Sequence, residues 1–312
     1  MGSDIRDMLN RWGPDHCEQV SPEEALAYCR ILTLGHYENF SVLSRVVPER
    51  LRDGVSAVYA YCRWADDLSD EAGDPAVARE QLAWWRQELG LCFDGNPRHP
   101  VFVALAIAAE QHELNRTPFD QLLDAFEQDQ VQNRYETWDD LLVYCGGSAD
   151  PVGHLVLKMS GEEMNESQLL ASNAVCSGLQ LVNHWQDVRR DVIERDRIYI
   201  PRDMVQVPNF EDRLLSTARV GHAPDQEFLA AYRGVMADLV ERTRPMLSQV
   251  IPLMASVQPD IRPMLWLFAA GGSSILDAIQ RAGHETVLYR VSLSKCRKLW
   301  LLWLASRRDR AA

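Results

Sequence analysis

Val58-Tyr59-Ala60-Tyr61-Cys62-Arg63-Trp64-Ala65-Asp66-Asp67-Leu68-Ser69-Asp70 sets an acidic cluster inside an apolar run. On a helix of 3.6 residues per turn, Asp66 and Asp70 fall about 40° apart on one face. Arg63 lies within one turn of them, and Tyr59 one turn earlier. Carboxylates at i and i+4 repel each other by a few tenths of a kcal/mol. The apolar setting puts them in an interior cleft, where an ionised carboxylate without a partner is costly. A cation resolves both problems, and hard oxygen ligands suit Mg²⁺.

A second stretch repeats the pattern: Gln180-Leu181-Val182-Asn183-His184-Trp185-Gln186-Asp187-Val188-Arg189-Arg190-Asp191. Asn183, Asp187 and Asp191 recur every fourth residue and climb one helical stripe, with Gln180 a turn before. Taken alone, a DxxxD pair is usually a solvated face. Two of them, both in apolar helices and both with an amide or arginine added, point to metal instead. Mg²⁺ takes one or two protein carboxylates and completes its shell with water and phosphate oxygens. Two such helices facing each other would clamp a diphosphate and neutralise it as a leaving group. His184 is offset from the acidic stripe by about 100° and reads as a packing residue. Arg189 and Arg190 read as partners for nearby acids.

The rest of the chain reads as helix. Ser21-Pro22-Glu23-Glu24 is a capping signature before a helix through Ala25, Tyr28 and Leu32. Another helix begins near Pro48, and further ones are expected near 75–93, 98–114, 118–132, 137–147, 166–193, 224–250, 260–282 and 292–306. Residues 194–223 read as loop with short helices, since Pro201, Pro208 and Gly221 interrupt them. Alternating patterns are too rare for a large sheet. No linker-like segment divides the 312 residues, so one domain over 1–312 is expected, with 1–20 a poorly ordered extension.

Composition narrows the function classes. A net charge of −13 argues against nucleic acid, which demands surplus Lys and Arg. An anionic substrate held through divalent metal stays compatible with that charge. The seven cysteines are scattered without a CxxC pair and read as reduced thiols of a cytoplasmic protein rather than a disulfide or zinc framework. No run reads as a membrane span. Asp4, Arg6, Asp7 and Arg11 interrupt the first turns, which therefore do not read as a signal peptide.

Taken in order, His36-Tyr37-Glu38-Asn39-Phe40-Ser41, the 58–71 stretch, Gln128-Asp129-Gln130, Tyr144 through Gly153, Asn183 through Asp191 and Arg197-Ile198-Tyr199-Ile200-Pro201 resemble the squalene/phytoene synthase family. Within it, they are most similar to the bacterial hydroxysqualene synthase branch of hopanoid biosynthesis. The resemblance implies an all-α isoprenoid synthase fold, a helical bundle around a central cavity. It implies Mg²⁺, two or three ions, and presqualene diphosphate that is ionised, rearranged and captured by water to give hydroxysqualene, with no NADPH. It also implies neighbouring enzymes of the hopanoid pathway as partners.

Carried over by position, Asp66, Asp67 and Asp70 form a first catalytic cluster and Asn183, Asp187 and Asp191 a second. Metal ligation falls to Asp66, Asp70, Asn183, Asp187 and Asp191. Arg63, Gln180, Arg197 and Tyr199 contact diphosphate or order the ligands, His36 reaches the same region, and Tyr59 and Phe40 line the cavity. Three departures bear on the diphosphate contacts: His284 where relatives often carry Tyr, a turn between Asp191 and Arg197 one residue longer than in some relatives, and Phe126 where carotenoid-type members carry Tyr.

Two rival readings share the acidic helices or the fold. One is head-to-head condensation of two farnesyl diphosphates to presqualene diphosphate, squalene or dehydrosqualene. The other is a non-catalytic, membrane-associated helical assembly factor, which would have no need of buried acids. Ala57, Val58, Ala60, Val152, Gly153, Val156, Val175 and Leu179 either wall a tunnel for prenyl tails or are core. The segment Lys295–Arg308 is basic and carries Trp300 and Trp303. It either rests peripherally on the anionic inner face of the membrane or packs as a last helix.

Overall fold

The structure is a computed structural model that describes residues 5–36, 46–222 and 225–308, apart from the side chains of Gly35, His36 and Arg308. The described residues are helical, with isolated bridges at Trp12–Cys17 and Arg134–Ile198 and no strand among them. The all-α expectation holds. The chain forms two compact units: 1–131, 151–165 and 258–261 in the first, and 132–150, 166–257 and 262–312 in the second. Because each unit is assembled from separated stretches, no single linker marks a boundary in the sequence.

In the first unit, α1 (Ile5–Trp12), α2 (Pro22–His36), α3 (Arg52–Asp70), α4 (Pro75–Phe93), α5 (Pro100–His112) and α6 (Thr117–Gln128) follow in order. The α3 helix packs against α2, α4, α5 and α6. That explains its composition: Ala57, Tyr61, Trp64, Ala65 and Leu68 are buried, whereas Val55, Tyr59, Asp66 and Asp70 form a half-buried stripe. Aromatic rings fix its position. Trp64 stacks on Trp85 at 5.3 Å and donates its indole N–H to the Tyr28 hydroxyl at 2.9 Å, and the Tyr61 hydroxyl donates to the Phe119 carbonyl at 2.8 Å.

Helix starts follow the expected chemistry. Ser21 Oγ accepts from the Glu24 N–H, and the Glu24 carboxylate accepts from the Ser21 N–H, the reciprocal capping box. Asp74 accepts from Ala76 N–H ahead of Pro75. Within residues 5–20, Ile5–Trp12 form α1. Charges interrupt that stretch, yet Ile5, Met8 and Trp12 lie on one helical face and are buried, with Trp12 against Tyr28 at 4.7 Å.

The second unit contains α7 (Trp138–Ser148), α9 (Glu166–Glu194), α10 (Phe210–Val220), α11 (Gln226–Ser248), α12 (Val250–Ser256), α13 (Arg262–Arg281) and α14 (Lys295–Arg308). Between α7 and α9 in the sequence runs α8 (Asp150–Met159), a helix absent from those expected and, from residue 151 on, part of the first unit. The central element is α9, packed against α7, α10, α11, α12 and α13. Close approach to α11 needs Gly178, since a Cβ there would lie 3.1 Å from Met246 Cβ and Leu247 Cδ2.

Candidate active site

The two acidic clusters belong to different units, and in each the acids sit on the central helix. On α3, Arg63 donates from Nη1 to Asp66 at 3.1 Å and from Nη2 to Asp67. Asp66 and Asp70 share the half-buried stripe with Tyr59. Asp67 does not: one residue on, it points into the core and is 3% exposed. Burial pushes its carboxyl up to about 7, helped by Glu71 and Asp66, while Arg63 pulls the other way. Next along the helix, Ser69 Oγ accepts from Gln130 Nε2 at 2.7 Å, so the Gln128-Asp129-Gln130 stretch at the C-terminal end of α6 is tied directly to the acidic turn.

On α9, Asn183, Asp187 and Asp191 climb one stripe as the spacing requires. Asn183 is exposed, whereas Asp187 and Asp191 are 6% and 4% exposed. Their charge is met by guanidiniums. Arg290 donates to Asp187, and Arg190 reaches Asp187 at 3.0 Å and Asp191 at 3.2 Å. Arg195 lies 3.8 Å from Asp191. Burial raises the Asp191 carboxyl to about 6; Arg190 opposes the rise and Asp187 adds to it. Gln186, on the flank, donates to the Val291 carbonyl at 2.5 Å and holds the segment carrying Arg290 against α9. Gln180 is half-buried one turn earlier.

The turn after α9 completes this cluster. Asp196 takes φ +50°, in the left-handed region. The Asn133 amide and Arg134 guanidinium donate to its carboxylate at 3.1 and 2.8 Å. The Arg197 N–H then donates back to the Asp191 carbonyl at 3.0 Å, and the Ile198 N–H donates to the Asn133 carbonyl at 2.9 Å. Arg197 and Asp191 line a cavity of about 10 Å³ with His184 and Tyr199. The His184 ring stacks on Tyr199 at 3.6 Å, and burial, reinforced by Arg197 and Arg190, pushes its imidazole down to about 3. The ring is neutral and acts in packing, as its offset from the acidic stripe predicts.

Tyr199 is buried in a stack with Tyr135, Tyr144 and His184. Of the remaining expected site residues, Phe40 and the His36 side chain lie outside the described residues. Arg290 and Arg195 are new to the site. Arg290 lies in a non-periodic stretch 103 positions from Asp187, so only the fold joins them. His284 takes φ +63°, and burial lowers its pKa against a raising influence from Glu241 and a further lowering one from Arg244. The oxygen donors that a divalent cation could take are Asp66 and Asp70 on α3, and Asn183, Asp187 and Asp191 on α9.

Residues 34–297 match the squalene/phytoene synthase family model. The chain belongs to the squalene/phytoene synthase family. It is 33% identical to a hydroxysqualene synthase of Rhodopseudomonas palustris over 71% of this chain and 72% of that one. It is 28% identical to a phytoene synthase of Arthrospira platensis over 90% and 92% of the two chains. Its fold matches the squalene synthase HpnC of Alicyclobacillus acidocaldarius with a TM-score of 0.72 at 36% identity, covering 84% of this chain and 95% of that one. This member of the family is therefore an enzyme of isoprenoid synthesis with the isoprenoid synthase helical fold.

Proposed function

We propose that this enzyme converts presqualene diphosphate to hydroxysqualene with Mg²⁺. The observation that carries the reading is the repeated construction on α3 and α9: two carboxylates one turn apart, backed by arginine within the same turn. Similarity to a hydroxysqualene synthase supports this branch of the family.

The donor chemistry suits the metal. Among the described residues, no three His, Cys, Asp or Glu side chains gather closely enough to hold an ion by themselves. Mg²⁺ needs only one or two carboxylates when water and phosphate oxygens complete its shell. Asp66 and Asp70 would take one share of the ions, and Asn183, Asp187 and Asp191 the other. Bound there, Mg²⁺ would supply charge neutralisation for a diphosphate leaving group.

The protein's own groups shape the remainder. Arg63 holds the Asp66 carboxylate in position. Arg190, Arg195 and Arg290 share the Asp187 and Asp191 carboxylates, and guanidinium is a group that binds phosphate oxygens well. The Tyr59 ring, on the stripe with Asp66, presents a π face that attracts developing positive charge. Water, not hydride, quenches the rearranged cation, so NADPH has no part in this reading. Partner enzymes of a hopanoid pathway would supply the diphosphate and consume the alcohol.

A second reading has its own support: the phytoene synthase match spans more of the chain, which favours condensation of two prenyl diphosphates. Purified enzyme is given presqualene diphosphate or farnesyl diphosphate, with Mg²⁺, with and without NADPH. Hydroxysqualene from presqualene diphosphate, independent of NADPH, is the expected product. Turnover of farnesyl diphosphate alone, with presqualene diphosphate untouched, would replace the first reading by the second.

A further inference from the structure

The C-terminal helix α14 has two unlike sides. Leu301, Leu302 and Ala305 are buried, on a helix packed against α13. Leu299, Trp300 and Trp303 are 60%, 46% and 51% exposed; at i, i+1 and i+4 they form one outward strip. Water-facing tryptophans in such a strip are unfavourable unless something covers them.

Charge says what the cover is. The helix carries Lys295, Arg297, Lys298, Arg307 and Arg308 and no acid, in a chain of net charge −13. Lys295, Arg297 and Lys298 crowd its first turn, where the helix macrodipole favours acids, so helix stability does not account for them. The Arg297 guanidinium lies 4.3 Å over the Trp300 ring and that of Arg307 lies 4.5 Å over Trp303. Each pair puts an amphipathic ring and a cation at the same level.

We propose that α14 docks the enzyme on an anionic lipid surface, with Leu299, Trp300 and Trp303 in the headgroup–acyl boundary and the basic residues on lipid phosphates. Tryptophan favours that boundary, and basic side chains bind the negative leaflet through a field that salt screens. No helix among the described residues is long and apolar enough to cross a membrane; α14 would lie along the surface. Docking through α14 does not depend on which prenyl diphosphate the enzyme turns over.

Full-length protein is sedimented with vesicles of phosphatidylcholine alone or mixed with phosphatidylglycerol. Wild-type protein is expected to bind the mixed vesicles, with a blue shift in tryptophan fluorescence, and to be released by salt. L299S/W300S/W303S should weaken that binding about tenfold or more with unchanged circular dichroism. K295E/R307E, which leaves the buried face untouched, should weaken it in the same direction. The proposal is overturned if wild-type protein binds neither vesicle, or if both variants bind like wild type. A strip that is instead a self-association face, seen as a wild-type dimer that L299S/W300S/W303S dissociates, would also overturn it.

Discussion

The side chains of Asp66 and Asp67 leave α3 about 100° apart, so the first joins the half-buried stripe and the second enters the core. Asp66→Asn is therefore expected to lower turnover about 10²–10³-fold, the size of losing one electrostatic contributor, and to raise the Mg²⁺ concentration needed for half-maximal rate. Asp187→Asn should behave likewise. Asp67→Asn removes a partner of Arg63 and should leave the Mg²⁺ requirement where it was. Steady-state rates across a Mg²⁺ series separate the two classes, and full turnover in both Asp66→Ala and Asp187→Ala would end the catalytic account. The i, i+4 spacing of the acids was legible in the sequence because it depends only on helical period. That Asp67 is a core group tied to Arg63 was not, since a run of two acids does not say which one the neighbouring helices cover. Arg290 was beyond reach for a different reason: nothing local distinguishes it, and its value comes from Gln186 anchoring the chain at Val291.

Helices α3 and α9 were readable as elements because each combines an apolar period with a short polar stripe. The boundaries that went unseen have local causes. Helix α8 begins at Asp150-Pro151, a pair that reads as a turn until the chain is seen to continue helically after it. At its C-terminal end α11 gives way to α12 at Gln249, where Pro252 in the first turn of α12 cannot continue the α11 hydrogen-bond ladder. Packing of the elements was only half legible: among the small and branched residues noted at the outset, Ala57, Val58, Ala60, Gly153 and Val175 are buried, while Val152, Val156 and Leu179 remain partly open. Glycines offer a direct test of helix approach. Gly178→Val on α9 drives a branched side chain into Met246 and Leu247, where even a methyl carbon would sit at 3.1 Å, and should cost about 1–3 kcal/mol by overpacking. Gly234, on α11, is exposed and has open space around its Cβ position. Gly234→Ala should therefore raise stability by up to about 1 kcal/mol. Urea unfolding of the two variants reads both signs.

At the scale of the whole molecule, the interleaved units hide from sequence reading what the acids reveal: each unit is organised around one carboxylate-bearing helix. That organisation has a consequence for stability against pH. Burial holds the Asp67 and Asp150 carboxyls near 7, against Arg63 in one case and a Ser177 hydroxyl hydrogen bond in the other. An unfolded aspartate releases its proton near pH 3.9. Between about pH 4 and 7 the folded chain therefore retains protons that the unfolded chain has lost, and stability falls as pH rises through that window. Mutual repulsion in a chain of net charge −13 acts in the same direction. On the acid side the sign reverses: hydrogen bonding from the Phe228 N–H, with the nearby Arg213, lowers the pKa of Asp225, and stability from such groups is lost as they protonate. Metal-free protein should accordingly melt at a higher temperature near pH 5 than at pH 8. Asp150→Asn keeps an acceptor for Ser177 and removes one buried charge, so it should flatten the fall by about 1–2 kcal/mol after allowing for partial solvent screening. Thermal melts of the two proteins across pH 5–8 measure the difference directly. Parallel curves would mean that Asp150 is already ionised in the folded chain at low pH, and that its burial is relieved by a partner other than Ser177.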